Sequence, residues 1–154
     1  MLGDSGAAEV GLSSVTVAEV MTAGVISCAP ETPLRTVAEL MTTHRVHAIF
    51  VFDYDDGGVD VIEPWGIVSD LDLVASARLG LDERTAAESA VTPLVTVLGS
   101  DTLDRAAELM AANGVSHLAV VDPSTPHPIG VLSTLDIARE IATSGREAQP
   151  VGPR

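Results

Sequence analysis

The sequence predicts a mixed α/β (α+β) fold in which two β-α-β-β-α repeats pack sheet to sheet about a pseudo-two-fold axis. The main observation is an internal repeat. The segment LRTVAELM at 34–41 recurs as LDRAAELM at 103–110, an offset of 69 residues. The segment GIVSDLD at 66–72 recurs as GVLSTLD at 130–136, an offset of 64 residues. Because a helix, a strand and a terminal motif recur in the same order, the chain contains a duplication.

Each copy begins with a short helix, near Thr16 or Thr85, which leads into an extended segment at 25–27 or 94–97. A longer helix follows in both copies, since apolar side chains recur there at helical spacing. These side chains are Leu34, Val37, Leu40 and Met41 in the first copy and Leu103, Ala106, Leu109 and Met110 in the second.

The rest of each copy is predicted to be two strands and a second helix. Arg45 or Gly114 ends the longer helix, and glycine is common at that position. The strands are predicted at 48–52 and 62–68 in the first copy and at 117–121 and 129–132 in the second, with the second helices starting at Leu71 and Leu135. One copy alone would expose an apolar sheet face, so we expect the two copies to cover each other.

The predicted domain organisation follows from the repeat. It consists of a disordered leader at 1–14, a first domain at 15–80, a second domain at 81–144 and a flexible tail at 145–154.

An acidic stretch from Asp53 to Glu63 is typical of a calcium-binding loop at first sight. Counted from Asp53, however, a glycine fills position 5 and Pro64 fills position 12, where ligands belong. A solvated hairpin turn around Gly57 and Gly58 fits better, and no metal site is predicted.

Composition excludes several functional classes. The formal net charge of −14 disfavours nucleic-acid binding, which relies on Lys and Arg. The chain has no lysine, which excludes the P-loop lysine and Schiff-base catalysis. No apolar run reaches the ~18 residues of a membrane span, and the single Cys28 suits a reducing compartment. We therefore expect a cytoplasmic protein, without membrane attachment, that is not an enzyme. The Ala-, Val- and Arg-rich composition without lysine hints at a GC-rich bacterial genome.

The two GxxSxxD motifs carry the chemistry. Serine stands at a strand-to-helix junction, where free backbone N–H groups and the helix dipole favour phosphate. The aspartate three residues later can accept hydrogen bonds from both hydroxyls of a ribose. The motif residues are Ser69 and Asp72 in the first copy and Ser133 and Asp136 in the second. The same spacing is also that of an ordinary helix N-cap with an acidic first turn, and this alternative stays open.

The segments TPLRTVAELMTTHRVHAIFVFD and DTLDRAAELMAANGVSHLAVVD, each followed by its GxxSxxD motif, resemble the cystathionine-β-synthase (CBS) domain. The resemblance covers Val15 to about Thr143 and implies a stand-alone CBS pair, also called a Bateman module. Such a pair binds an adenosine-containing ligand, here AMP, ADP, ATP or S-adenosylmethionine, between its halves. It also implies a homodimer formed through helices, for which 86–91 and 137–141 are plausible, and a regulated partner protein whose identity the sequence does not give.

The resemblance also assigns ligand contacts. The ribose would contact Asp72 and Asp136. The phosphate side would contact Ser69, Ser133 and Thr134. A phosphate also needs cations, for which the candidates by residue type are Arg45, His47 and His117. The adenine would lie against Ile26 and Ile49 in the first half and Val95 and Leu118 in the second. Arg45 as a solvated helix-end residue and His117 as a strand-end residue are the structural alternatives.

The first copy departs from the family pattern at three positions. Arg45 replaces a glycine, Phe50 stands where proline is frequent, and Asp70 adds negative charge that disfavours a polyphosphate. The leading hypothesis is a regulatory module that senses an adenosine ligand and signals to a partner. The competing hypothesis is a ligand-free dimerisation or scaffold module whose motifs are only helix caps.

Overall fold

The computed structural model describes residues 11–54, 62–91, 94–125 and 127–148. The predicted hairpin turn at Gly57 and Gly58 lies outside the described residues, as do residues 1–10 of the predicted leader and 149–154 of the predicted tail.

The first half of the chain contains the predicted helices and strands, with one additional short strand, β1. In chain order the elements are α1 (Val17–Val20), β1 (Thr22–Ala23), β2 (Ser27–Cys28), α2 (Leu34–His44), β3 (Ala48–Tyr54), β4 (Ile62–Ser69), α3 (Asp70–Ser76) and a 3₁₀ turn (Ala77–Leu79). The helix after the second long strand begins one residue before the predicted start.

The second half repeats this order. Its elements are α4 (Ala86–Ser89), β5 (Thr96–Leu98), α5 (Leu103–Asn113), β6 (His117–Val121), β7 (Gly130–Ser133) and α6 (Thr134–Ala148). The mixed α and β composition and the duplicated order confirm the predicted fold class.

The two long central helices bury the apolar side chains that predicted them. The buried residues are Leu34, Val37 and Met41 in α2 and Leu103, Ala106 and Met110 in α5. Both helices stop at a residue in the left-handed conformation, Arg45 at φ 54° and Gly114 at φ 62°. The sequence therefore placed both helix ends correctly, including the one where arginine stands instead of glycine.

The strands form two sheets. One has the order β2-β3-β4, and the other has the order β1-β7-β6-β5. The short entry strand of each repeat pairs in parallel with the following long strand, as β2 does with β3 and β5 with β6. The two long strands of each repeat pair antiparallel, as β3 does with β4 and β6 with β7.

Helix α1 packs against the second half of the chain, although it precedes the first. The backbone N–H of Val17 donates to the carbonyl of Asp101 at 2.8 Å, and that of Ala18 to Gly99 at 2.9 Å. The Val17 side chain is fully buried in the hydrophobic cluster of the second half, beside Leu103.

Helix α4 packs in the same way against the first half. The N–H of Ala86 donates to the carbonyl of Thr32 at 2.8 Å, and that of Ala87 to Pro30 at 2.9 Å. Ala86 is fully buried in the first half's cluster. The sequence analysis grouped each short helix with the copy that follows it, whereas the structure shows that the halves exchange these helices.

The residues after each exchanged helix also cross over. Thr22 of β1 pairs with Val131 of β7, and Val91 forms the equivalent bridge with Ile67 of β4. Each sheet is therefore extended by a segment from the other half, as in a domain swap within one chain.

A third hydrophobic cluster lies between the two sheets. Its buried members are Ala48, Phe50, Phe52, Ile67 and Ala119. These side chains come from the central strands of both halves, so the cluster joins the repeats sheet to sheet, as the sequence predicted.

Candidate ligand-binding site

The two GxxSxxD motifs occupy the junctions from β4 to α3 and from β7 to α6. In the first, Oδ2 of Asp72 accepts hydrogen bonds from the Ser69 N–H at 2.9 Å and the Ser69 Oγ at 2.8 Å. In the second, Oδ2 of Asp136 accepts from the Ser133 N–H at 2.8 Å, and Ser133 Oγ accepts from the Asp136 N–H at 3.1 Å. Both aspartates therefore cap their helices through one carboxylate oxygen, as the structural alternative predicted, which leaves Oδ1 of each to face other groups.

Gly130 of the second motif has a structural reason to be glycine. A Cβ at this position would lie 2.5 Å from the carbonyl oxygen of Thr22 and 2.8 Å from Sδ of Met21. The exchanged strand β1 and the residue before it make this close approach, so packing between the two halves explains the glycine.

A cleft between the two halves collects many of the predicted site residues. Its volume is ≈ 190 Å³. It is lined by Thr22, Arg45, Val46, His47, Ala48, His117, Val131, Ser133, Leu135, Asp136 and Arg139. The cleft thus combines the end of α2 and the start of β3 with the second motif.

An open groove of ≈ 470 Å³ between α2 and α3 adjoins this cleft. The two cavities share Arg45, Val46 and His47 as lining residues. A ligand larger than the cleft alone can therefore extend past Arg45 into the groove.

His117 lines the cleft, and its two ring nitrogens have different surroundings. Its Nδ1 lies 3.0 Å from Ser116 Oγ. Its Nε2 is the only buried side-chain nitrogen or oxygen atom without a hydrogen-bond partner among the described residues. Buried polar atoms are nearly always paired, so an unpaired one beside a cleft points to a missing partner.

Burial lowers the pKa of His117. The carboxylates of Asp70, Asp136 and Asp72 oppose this by favouring the imidazolium, while His47 adds to the lowering. Folding therefore favours the neutral form of His117.

This shift predicts a pH dependence of stability. Below the ordinary histidine pKa of 6.5 the unfolded chain binds a proton that folded His117 resists, so stability is lost as the pH falls through this range. We expect the melting temperature to fall between about pH 7.5 and pH 5.5, and to fall less in His117→Ala. Thermal melts across this range test it, and equal losses in both proteins would contradict it. Carboxylates with lowered pKa values, such as Asp82 and Asp122, lose their contribution only in stronger acid.

Arg45 lines both cavities and is exposed. It is the only non-glycine residue with positive φ among the described residues. Within the same residues it forms no ion pair, whereas Arg35, Arg84, Arg105 and Arg139 each lie near a carboxylate. Its backbone N–H donates to the Met41 carbonyl, so the positive φ is that of a helix C-cap, as the structural alternative predicted, and its side chain places a positive charge beside the cleft.

Replacing Arg45 by glycine is expected to stabilise the ligand-free protein. The left-handed conformation costs a non-glycine residue about 1–2 kcal/mol, and glycine avoids this cost. Glycine also makes the unfolded chain more flexible, which lowers the free energy of unfolding by roughly 0.4–1 kcal/mol. A net gain of about 0.5–1 kcal/mol should raise the melting temperature by roughly 1–4 °C. The mirror variant Gly114→Arg should lose stability. A Cβ at Gly114 meets no atom within 4 Å, so the loss would come from backbone strain and not from a steric clash. A lower melting temperature in Arg45→Gly would contradict this account.

His47 and Asp70 form a pair at the start of α3. His47 Nδ1 lies 3.0 Å from Asp70 Oδ2, and both side chains are more than half exposed. The N–H of Asp70 also donates to the His47 carbonyl at 2.9 Å. Asp70, whose negative charge was expected to disfavour a phosphate, is thus paired with His47, which was expected to contact the phosphate.

Several predicted contacts lie away from the cleft. Ile49 and Leu118 are 0% exposed and belong to the separate cores of the two halves, so neither offers surface to an adenine in this conformation. Ile26 and Val95 are half-buried against the same cores. The apolar side chains that do line the cleft are Val46, Ala48, Val131 and Leu135. Ser69, Asp72 and Thr134 do not line it.

Arg139 is the functional candidate that the sequence analysis missed. It lies one helical turn after Asp136, with an Nη1 to Oδ1 distance of 3.7 Å, and lines the cleft. Its signal was available in the sequence, since residues three apart share a helix face.

Across the described ranges, no helix is long and apolar enough to cross a membrane. The same part of the chain contains no group of three or more His, Cys, Asp or Glu side chains positioned to hold a metal ion.

Comparison with known proteins places the chain in a family. The CBS domain model matches residues 17–78 and 88–143. The homoserine O-acetyltransferase of Methanocorpusculum labreanum is 32% identical over 123 residues, which cover 80% of this chain but only 23% of that protein.

Two solved structures share the fold. A CBS domain protein from Pyrobaculum aerophilum, complexed with AMP, is 28% identical with a TM-score of 0.66, over 84% of this chain and 99% of that one. A CBS domain pair in complex with 5′-methylthioadenosine and S-adenosyl-L-methionine is 19% identical with a TM-score of 0.69, over 84% and 97%. With both repeats matched and this fold, the chain belongs to the CBS domain family and carries a pair of CBS domains.

Proposed function

We propose that this CBS pair binds an adenosine-containing ligand in the cleft at Asp136 and acts as a regulatory sensor. The observation that carries the proposal is the unpaired Nε2 of His117 beside a cleft that also holds Arg45, a cation with no acidic partner among the described residues. The AMP complex of the 28% identical relative supports the choice of ligand class. AMP, ADP, ATP and S-adenosylmethionine remain the candidates.

The cleft offers a partner for each part of such a ligand. Oδ1 of Asp136 is the acceptor for a ribose hydroxyl, since Oδ2 is used in the helix cap. The N–H groups of Ser133, Thr134 and Asp136 are already hydrogen-bonded, so the Ser133 hydroxyl and the N-terminal dipole of α6 would favour a phosphate there. Val46, Ala48 and Val131 provide an apolar surface for the adenine in place of the buried Ile49 and Leu118.

The remaining predicted contacts lie outside the cleft. Ser69 and Asp72 occupy the equivalent junction of the first half, where the family resemblance assigned a second ribose contact. Thr134 is exposed at the start of α6 and would approach the phosphate from outside the cleft.

The signal would arise from the position of the cleft between the halves. Its lining residues come from both halves, so a ligand that fits one relative angle better than another shifts the population of angles. A partner protein would respond to that shift.

Thermal unfolding with AMP, ADP, ATP, S-adenosylmethionine and NAD tests the proposal. A ligand at about 100 times its dissociation constant adds roughly 2.7 kcal/mol, which should raise the melting temperature by several degrees. We expect one adenosine ligand to give this shift and Asp136→Ala to abolish it.

The aspartate variants need a matched control, because each also removes a helix cap worth about 0.5–2 kcal/mol. Thr102→Ala removes the cap of α5, where Thr102 Oγ accepts from the Arg105 N–H, outside the cleft. It should lower the melting temperature of the free protein but keep the ligand shift. If no adenosine ligand shifts the wild-type protein, the sensor proposal fails.

A ligand-free scaffold is the second candidate. It is favoured by the capping role of both aspartates and by the small volume of the cleft, ≈ 190 Å³. On this alternative Asp136→Ala would lose only cap stability, and no ligand would restore it.

We further propose a cytoplasmic, non-catalytic protein that forms a homodimer through α3 and α6. Large apolar side chains at least half exposed lie on these helices, namely Leu71, Val74, Leu135 and Ile141. The predicted interface segment 86–91 is less suitable, because Ala86 is fully buried within its own chain.

A further inference from the structure

The two halves are related by a pseudo-two-fold axis, so every position in the cleft has a counterpart. The Asp70 N–H donates to the His47 carbonyl at 2.9 Å, and the Thr134 N–H donates to the Ser116 carbonyl at the same distance. The bridges Thr22–Val131 and Val91–Ile67 are likewise equivalent. By the same offsets, the cleft at Asp136 has a counterpart position at Asp72.

The cationic residues do not follow this symmetry. Arg45 corresponds to Gly114, and Arg139 corresponds to Ala75. Both arginines line the cleft at Asp136, one from the end of α2 and the other from α6. The counterpart position has neither charge.

The anionic residues distinguish the two positions less than the arginines do. Asp70 occupies the position that Thr134 occupies in the second motif, so the first motif adds a carboxylate at the start of its helix. Asp70 also pairs with His47 and lines the groove beside the cleft at Asp136, so the difference in phosphate affinity comes from the two arginines.

We infer that the two ligand positions are unequal: one phosphate-bearing nucleotide binds per chain, at Asp136 between Arg45 and Arg139, and none binds at Asp72. This inference rests on the proposed function and adds its stoichiometry and ligand charge. Because the two arginines come from different halves, the phosphate adds a charged contact between the halves that adenosine lacks.

Calorimetric titration of the full chain with AMP and with adenosine tests the inference. We expect one AMP per chain. Arg45→Gly and Arg139→Ala each install the residue that the counterpart position carries naturally. Each should weaken AMP about tenfold or more while leaving adenosine within about threefold, because only the charge-assisted bonds to phosphate are lost.

The aspartates provide a matched pair. Asp136→Asn should strongly weaken AMP, whereas Asp72→Asn should leave its affinity unchanged. Two equivalent AMP sites, or equal losses of AMP and adenosine in the arginine variants, would overturn the inference but leave the sensor proposal standing. A loss confined to Asp72→Asn would overturn the inference and also move the proposed binding site to the first half. Absence of any binding to the wild-type protein would instead remove the sensor proposal itself.

Discussion

Phe50→Ala is expected to lower the free energy of unfolding by about 3–5 kcal/mol. Phe50 is 1% exposed and lies in the cluster between the two sheets. Its ring stacks on Phe52 with centroids 6.3 Å apart and an interplanar angle of 26°. Removing the ring leaves a cavity at the interface that joins the repeats, and neither rigid sheet can move to fill it alone.

Chemical denaturation should show this loss, and thermal melts should show a fall of roughly 6–20 °C. Leu79→Ala serves as the control, because Leu79 is 51% exposed and should change stability by less than about 0.5 kcal/mol. A loss below about 1 kcal/mol in Phe50→Ala would mean that the sheets do not pack through this cluster.

Val17→Ala is expected to cost about 2 kcal/mol, although Val17 lies in a helix of four residues near the start of the described chain. The reason is the exchange of α1, which places this fully buried side chain in the core of the second half. The variant gives α1 the residue that α4 has at the equivalent position, Ala86.

Hydrogen exchange followed residue by residue distinguishes the exchange from packing within the first half. In Val17→Ala the amides of α5 should lose protection before those of α2. Val37→Ala, the same substitution at another fully buried site, should show the opposite order because Val37 belongs to the first core. If Val17→Ala exposes α2 first, the exchange is absent in solution.

The sequence predicted the fold because the repeated segments and the helical spacing of apolar residues can be recognised directly in the sequence. It could not predict the exchange of α1 and α4, since the offset of 69 residues is the same whichever half a helix packs against. An apolar residue such as Val17 indicates that one face of its helix is buried. The sequence pattern does not show which half of the chain covers that face.

The candidate site was predicted in part. The GxxSxxD motifs, Arg45 and His117 were identified from residue type and spacing. Ile49 and Leu118 were assigned to the adenine by the family resemblance, whereas the structure buries both side chains in the cores of the two halves. Strands buried on both faces are continuously apolar, so their pattern does not show which residues face the cleft. The role of Gly130 depends on a strand from the other half, which no local pattern shows.

The exchanged segments also limit how the two halves can move. Each half holds a helix and a strand residue of the other through backbone hydrogen bonds, so the halves cannot open like a hinge about the linker between them. The motion that remains is shear, a small sliding and rotation of one sheet over the other. The interlocked halves should therefore unfold in a single cooperative transition, and a ligand in the cleft should change the twist of the pair rather than its separation.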